Sequence, residues 1–488
     1  MTTRRLFFFV FSLVNPISLY ATSLTPLEFW FYERLENEEL RGGTVLQLNT
    51  KPFDFSVLSG HPANSQSGFV LESMGGEYTF ATQAPKIQQR EGIWTGKGQN
   101  LVFRSRMGWV SEHASLWVEP VVAWHENRSL DDHPEGRPQP VTRGSYRYPK
   151  PDGSYTMLSA NSAFALIPFS NWYLFLGTDN LRFGGGKHDS LHLSNSAEPF
   201  PMIRIGTKTP WQTRLGAFSF ISYIGEMEAD RHIPRAKLSG WRLNWNSEKR
   251  VEFGISRAWF VGGEGQKNDF SHVVGDLYLE FFKPRSGSER LSDFRNQQIV
   301  MDFRVKIPEM QLVLYGEWGR EDHQHGFDDT IEYWDSTQGY IAGVKGIDIF
   351  ARGYFWILEY ANNSQPSRYP SNAPWYNHHE YKSGWTYKGI NLGHHMGSDS
   401  SDTFIGFGRE QLPTSWMIYV DQEVHGIRTR GPGNRETRLE LGTKGYYSFL
   451  SNIRLGYEMV VEATENYGLV RGNNLSSAMA GISLLLTY

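Results

Sequence analysis

Apolar and polar residues take turns with a period of two along much of this chain, and few folds accept that pattern. Trp241, Leu243 and Trp245 alternate with Arg242, Asn244 and Asn246, and Ile299, Met301, Phe303 and Val305 alternate with Asp302, Arg304 and Lys306. Tyr354, Trp356, Leu358 and Tyr360 stand against Gly353, Phe355 and Glu359. Ile453, Leu455, Tyr457 and Met459 stand against Asn452, Arg454 and Glu458. Successive side chains of a strand point to opposite faces, so each segment reads as a strand with one apolar and one charged face. A soluble sandwich buries the apolar face. An outer-membrane barrel shows it to lipid and turns the charges into the lumen.

Connection lengths separate the two readings. Counting back from Tyr488, strands fall near 476–488, 450–462 and 435–445, and so on down to 99–110 and 68–82. The count is about 18, with boundaries open by a few residues. Short connections such as Ser111-Glu112, Asn246–Lys249, Ile307–Glu309 and Gln411–Ser415 alternate with long ones near 83–98, 127–159, 183–198, 260–295 and 362–401. Two long connections hold strand-like pieces, Leu277–Phe282 and Tyr381–Lys388, that the alternation assigns to loops. Tight turns on one side and long loops on the other are the plan of an outer-membrane barrel with both termini in the periplasm.

Composition agrees. Aromatic residues make up 15% of the chain and glycines number 49, while mean hydropathy stays negative, as expected when only every second strand residue meets lipid. No cysteine is present, which excludes thiolate metal sites and thiol nucleophiles. A net charge of −4 over 488 residues argues against nucleic acid as a partner.

The ends of the chain carry further expectations. Residues 1–21 have a basic start, an apolar run from Leu6 to Tyr20 interrupted by Asn15-Pro16, and small Ala21, the layout of a signal peptide rather than a spanning helix. Thr25-Pro26-Leu27-Glu28 reads as a capping box, followed by an apolar stripe of Leu27, Trp30, Phe31 and Leu35 that Gly42-Gly43 ends. Residues 22–66 are therefore expected to form a small helical plug at the periplasmic mouth, with the barrel occupying 67–488. At the other end, Ala480, Ile482, Leu484, Leu486 and Tyr488 make an alternating face with a terminal aromatic. This resembles the signal read by the barrel-insertion machinery. The expected fold class is thus an all-β transmembrane antiparallel barrel with a helical N-terminal plug, contacting outer-membrane lipid.

Unusual residues concentrate in 178–264. Phe183-Gly184-Gly185-Gly186-Lys187-His188-Asp189-Ser190-Leu191 is followed by Leu193-Ser194-Asn195 and Pro199-Phe200-Pro201. Glu226 to Pro234 contains Asp230-Arg231-His232, and Gly262-Gly263-Glu264-Gly265 closes the region. Glu317-Trp318, Glu321-Asp322, Tyr381 with Gly384-Trp385, Tyr387 and Gly389, then Leu392-Gly393, Gly397, Asp399 and Ser400 follow in order. Together these segments resemble the capsule assembly Wzi family over nearly the whole mature chain. One departure is the glycine turn, Phe183-Gly184-Gly185-Gly186 where Trp-Gly-Pro-Gly is expected. The resemblance implies an 18-stranded barrel with a periplasmic helical bundle and a lectin-like role in binding surface or capsular polysaccharide.

Sugar sites combine aromatic faces with carboxylates, amides and arginines. Candidate glycan contacts are accordingly His188, Asp189, Asp230, Arg231, His232, Glu264, Trp334, Trp375, Tyr376 and Asp399. For the aromatics, including Tyr333 with Trp334 beside Asp328 and Asp329, the competing role is a loop core or girdle. No Gly-x-Ser-x-Gly elbow or His-Glu-x-x-His helix occurs, so no enzyme activity and no catalytic residue is expected. His378-His379 and His394-His395 share a loop, yet no acidic ligand stands beside them at a recognised spacing, and Asp399 and Asp402 match a calcium loop only superficially. No metal or other cofactor is expected.

Lumen-facing charges of both signs, Arg242, Asp302, Arg304, Lys306, Glu359, Glu436, Arg438, Glu440, Arg454 and Glu458, favour a cross-braced interior. A diffusion porin, possible for sugars, is the alternative, and strongly selective pores often carry one sign.

Overall fold

The computed structural model describes residues 36–37, 40–41, 50–51, 67–83, 90–129, 153–247, 250–268, 296–321, 337–364 and 375–487. Within them 18 antiparallel strands close into one barrel, from Gly68–Ala81 to Leu475–Thr487. One strand is interrupted: Phe200–Thr207 continues as Trp211–Thr213, and both pieces pair with Gly216–Glu226. First and last strands seal the barrel in a continuous register from Ser73 opposite Thr487 to Ala81 opposite Met479. Pairing every strand on both sides removes the edges that lipid could not satisfy. The signal peptide, the apolar stripe of 27–35, Leu277–Phe282, Trp334 and Tyr488 lie outside the described residues.

Burial is inverted relative to a soluble sandwich. Ile482 is 58% exposed and Val461 53%, whereas Arg242 is 0% and Arg304 1%. The apolar face of each alternating strand is the outer one, as in Met301 and Phe303 against buried Asp302, Arg304 and Lys306. Large exposed apolar side chains also gather at the short-turn end: Trp109, Phe169, Trp211, Phe350 and Phe449. Trp172 meets Trp211 edge to face with ring centroids 5.3 Å apart. Such a ring is the interfacial girdle of a membrane barrel.

The inward charges are joined across strands. Arg242 donates to Asp302 through Nη1 at 2.7 Å and Nη2 at 2.9 Å. These residues sit on strands separated by one neighbour, and Gly254 of that neighbour pairs with Asp302. A Cβ at Gly254 would stand 2.1 Å from Arg242 Nη2, so only glycine lets the guanidinium cross. Arg304 bonds Glu252, and Lys306 Nζ lies 3.7 Å from the same carboxylate. Arg438 lies within 4 Å of Glu423, Glu436 and Glu462. Glu458 takes Arg90 at 2.5 Å, from the loop after the first strand. Glu440 is buried in the same lumen wall, while Arg454 is half-buried 5.7 Å from the Tyr446 ring.

The N-terminal segment enters this network. Glu36, Asn37 and Leu40 are helical, and Arg41 donates to Asn37 O at 3.1 Å. Arg41 is tied to Asp348 in a short turn at 2.8 Å, and Leu40 packs with Val313, Ile347 and Phe355. Glu36 reaches into the lumen, bonding Arg304 Nε at 2.8 Å, Lys345 Nζ at 2.9 Å and Lys187 Nζ at 2.7 Å. Burial opposes ionisation there, but Lys187, Lys345 and Arg304 hold the Glu36 carboxyl well below its ordinary range.

The outer apolar face supports a direct expectation. Ile482→Arg places a charge in mid-strand on the lipid side and should cost about 2–4 kcal/mol, whereas Ile482→Leu should cost under about 1.5 kcal/mol. Urea titration in phosphatidylcholine vesicles measures both. Equal losses would contradict the outward orientation.

Candidate functional site

The long-loop end is filled by the chain's own loops, and two strand carboxylates organise the filling. The glycine-rich stretch 183–191 turns down into the lumen, every residue of it buried or nearly so. Glu317 accepts the backbone N–H groups of Gly186 and Leu191, both at 2.9 Å. Glu359 accepts those of Lys187 at 2.6 Å, His188 at 3.2 Å and Asp189 at 3.4 Å. Successive amides converging on a carboxylate need a tightly wound backbone. Gly184 has φ +144°, and a Cβ there would meet Glu317 Oε1 at 2.1 Å. That close approach is the reason the turn carries glycine at this position.

A second loop, described over 375–399, packs on the first. Tyr376 Oη donates to Leu191 O at 2.5 Å and accepts from His394 N at 2.9 Å. Trp385 Nε1 donates to His192 O at 2.9 Å, and Ser194 N donates to Leu392 O at 2.6 Å. The strand-like piece foreseen at 381–388 is a short hairpin instead, Thr386–Tyr387 against Ile390–Asn391, outside the barrel sheet. Arg231, between the strands Gly216–Glu226 and Lys237–Asn246, donates to Thr386 O and Gly384 O, each at 3.3 Å, with its guanidinium 4.4 Å over Phe260. Tyr381 Oη donates to Gly262 O at 3.2 Å, bringing the Gly262–Gly265 loop into the same assembly.

The candidate glycan contacts divide accordingly. Trp375, Tyr376, Asp189 and Asp399 are fully buried, and His188 and Arg231 nearly so. All six are thus interior parts of the loop assembly. Trp375 and Tyr376 belong to a loop core together with Leu191, Phe260 and Trp385. Asp399 accepts the N–H groups of Arg428 and Thr429 and the Thr429 hydroxyl, fixing the turn after Thr414–His425. Adjacent His188 and Asp189 point apart, to Asp421 at 3.1 Å and to His395 at 2.9 Å. Asp230, His232 and Glu264 are exposed. His232 N donates to Ser383 Oγ at 2.8 Å, and Glu264 lies 3.7 Å from exposed Arg235. With His379 and Lys382 they form a polar outer face over the buried loop core.

The family model for capsule assembly protein Wzi matches residues 76–474. The chain belongs to the Wzi family. An uncharacterized 55.8 kDa protein in the cps region of Klebsiella pneumoniae is 26% identical over 197 residues, or 38% of this chain and 37% of that protein, so the match spans little more than a third of that relative. The structure of Wzi from Escherichia coli, described as an outer-membrane protein involved in group 1 capsule assembly and a carbohydrate-binding β-barrel, has a TM-score of 0.66. Identity to it is 16%, with 93% of this chain and 98% of that one covered.

Several residues that organise the site of this Wzi-family barrel carry no signal in a single sequence. Glu317 appears only as part of a Glu-Trp pair, and Glu36 as one helix acid among several. Asp421 and Glu423 look like ordinary inward strand residues.

Two expectations follow from the loop geometry. Glu359→Ala removes the acceptor for three amides. Hydrogen bonds to a charged group contribute about 1.5–3 kcal/mol, so exchange at Lys187, His188 and Asp189 should quicken by roughly 10- to 100-fold. Amide hydrogen exchange reads this, and strand amides serve as the internal reference. The second concerns His192, whose Nδ1 lies 2.7 Å from Ser256 Oγ and whose ring stacks on Trp385. Burial, with Arg242 adding, lowers its pKa from 6.5 to about 3. Above pH 6.5 the ring is neutral folded or unfolded and contributes nothing. Below it the unfolded chain binds a proton the native ring refuses, so stability falls by about 1.4 kcal/mol per pH unit down to about pH 3. Comparing urea midpoints of wild type and His192→Gln at pH 7, 5.5 and 4 isolates this slope. Parallel curves would remove His192 as its source.

Proposed function

We propose that this outer-membrane barrel binds capsular polysaccharide or exopolysaccharide at the cell surface and organises it there. The observation that carries the reading is the loop assembly: Glu317 and Glu359 draw the glycine-rich loop inward, leaving Asp230, His232, Arg235 and Glu264 displayed on the outside. Carboxylate, imidazole and guanidinium groups on a supported surface are suited to sugar hydroxyls and uronic acids. Family membership and the carbohydrate binding described for Escherichia coli Wzi point the same way. In this reading Asp230, His232 and Glu264 touch the glycan, joined by Trp334. His188, Asp189, Arg231, Trp375, Tyr376 and Asp399 hold that surface in place, and no reaction is catalysed.

The long loops then face outward and both termini the periplasm. Residues 1–21 are removed on export, and the helical segment 22–66 closes the periplasmic mouth through Leu40, Arg41 and the Glu36 contacts. The strand ending at Tyr488 is read by the barrel-insertion machinery.

Binding of the full-length, detergent-solubilised protein to purified surface polysaccharide of the producing cell tests the reading. Replacing Asp230, His232 and Glu264 together by alanine should weaken binding by roughly 10- to 1,000-fold, given about 0.5–1.5 kcal/mol per hydrogen bond. The barrel's circular dichroism should remain intact. No binding by the wild type to any native surface polysaccharide would remove the proposal. Large, steady single-channel conductance in planar bilayers would favour the porin.

A further inference from the structure

The lumen beneath the glycine-rich loop holds a cluster of imidazoles and carboxylates that the polysaccharide reading does not use. His188 comes from the 180–199 loop and His395 from the 375–399 loop, while Asp402 and Asp421 come from the paired strands Ser400–Gln411 and Thr414–His425. Asp402 stands directly opposite Glu423, and Asp421 opposite Phe404 one step along the same inner face. Three carboxylates thus crowd one patch of wall, an arrangement that is unfavourable without a counter-charge. Asp402 is buried, and among the described residues no lysine or arginine pairs with it; its neighbours are His188, His394 and His395. Neither Asp402 oxygen receives a well-directed hydrogen bond, nor does His394 Nε2 find a partner. Buried polar atoms in that state call for an explanation.

We propose that His188 Nε2, His395 Nε2, Asp402 Oδ2 and Asp421 Oδ2 bind a divalent transition-metal ion, with Zn2+ the best match. One ligand atom from each of these four residues lies within 4.8 Å of the others. His188 Nε2 is 3.1 Å from Asp421 Oδ2 and 3.7 Å from Asp402 Oδ2, and His395 Nε2 is 3.0 Å from Asp402 Oδ2. Tetrahedral Zn2+ with bonds of about 2.0–2.1 Å sets its ligands about 3.3 Å apart, within the range observed. Two imidazoles with two carboxylates favour Zn2+ over Mg2+ or Ca2+, which prefer all-oxygen shells.

The surroundings favour the ligand form of His395. Its Nδ1 and its backbone N–H both meet Asp189 Oδ2 at 2.9 Å. A carboxylate on Nδ1 keeps the proton there and leaves Nε2 as the donor atom, the arrangement usual behind metal-bound histidines. His188 is held by stacking on Phe404, ring centroids 4.0 Å apart, and by the edge of His395. Glu423 and His425, 2.8 Å apart, complete the polar shell with Arg438. The acidic ligands missing beside His394-His395 in the sequence are supplied by strands. An ion here would pin both loops to the barrel wall, whether or not the outer face binds a glycan.

The test uses the full-length protein in detergent, refolded with ZnCl2 and freed of loose metal by desalting. Elemental analysis should find about one Zn2+ per chain, and Co2+ in its place should give the visible absorption of a tetrahedral site. With no cysteine in the chain, that spectrum should lack a thiolate charge-transfer band. Asp402→Asn and His188→Gln should each lower retained metal at least about tenfold. Should either variant fail to fold, X-ray absorption at the zinc edge of the wild type decides, a four-coordinate nitrogen and oxygen shell with two imidazoles being expected. Wild-type protein without stoichiometric metal, metal retained equally in folded variants, or an edge spectrum of hydrated Zn2+ would each overturn the proposal.

Discussion

Charge withdrawn from water has to meet opposite charge or hydrogen-bond donors, and the interior of this barrel is arranged around that requirement. Because the apolar face of each strand is the outer one, the polar face has only the lumen, and the lumen is too crowded to solvate it freely. Arg242 with Asp302 and Arg304 with Glu252 and Glu36 are ways of meeting the same demand. Replacing one member alone strands its partner, which is why such networks resist piecemeal change.

The same requirement couples the two ends of the barrel. Glu36, on the segment tied to a short turn through Arg41 and Asp348, touches Lys187 in the glycine-rich loop from the opposite end. Glu317 and Glu359 fix that loop's backbone, and the loop in turn seats Tyr376 and Trp385. The exposed polar face is therefore the last layer of a continuous packed column. A surface built this way is pre-organised, because its conformational entropy is surrendered on folding.

Much of the barrel is legible along the chain. Met301 and Phe303 against Asp302 and Arg304 indicate both a strand and its two environments, since side-chain direction in a strand depends only on position parity. Turn lengths add the sidedness. The candidate site is less legible: Trp375 and Tyr376 admit readings as sugar platforms and as loop core, and they pack in the loop core. His188 and Asp189, adjacent in the sequence and both candidate glycan contacts, address different partners, Asp421 and His395.

What the sequence by itself determined is local and periodic: an all-β barrel, its inner and outer faces, and which connections are long. Family membership was also visible there, because ordered motifs survive where overall identity is low. Only the tertiary structure decided that the glycine-rich loop folds inward, that Glu36 reaches Arg304 and Lys345 across 268 and 309 residues, and that two histidines and two aspartates from four elements meet. The physical reason is that loop conformation is chosen by partners distant in the chain. A carboxylate's role is set by which amides or cations closure of the barrel brings within 3 Å, and no periodicity encodes that distance.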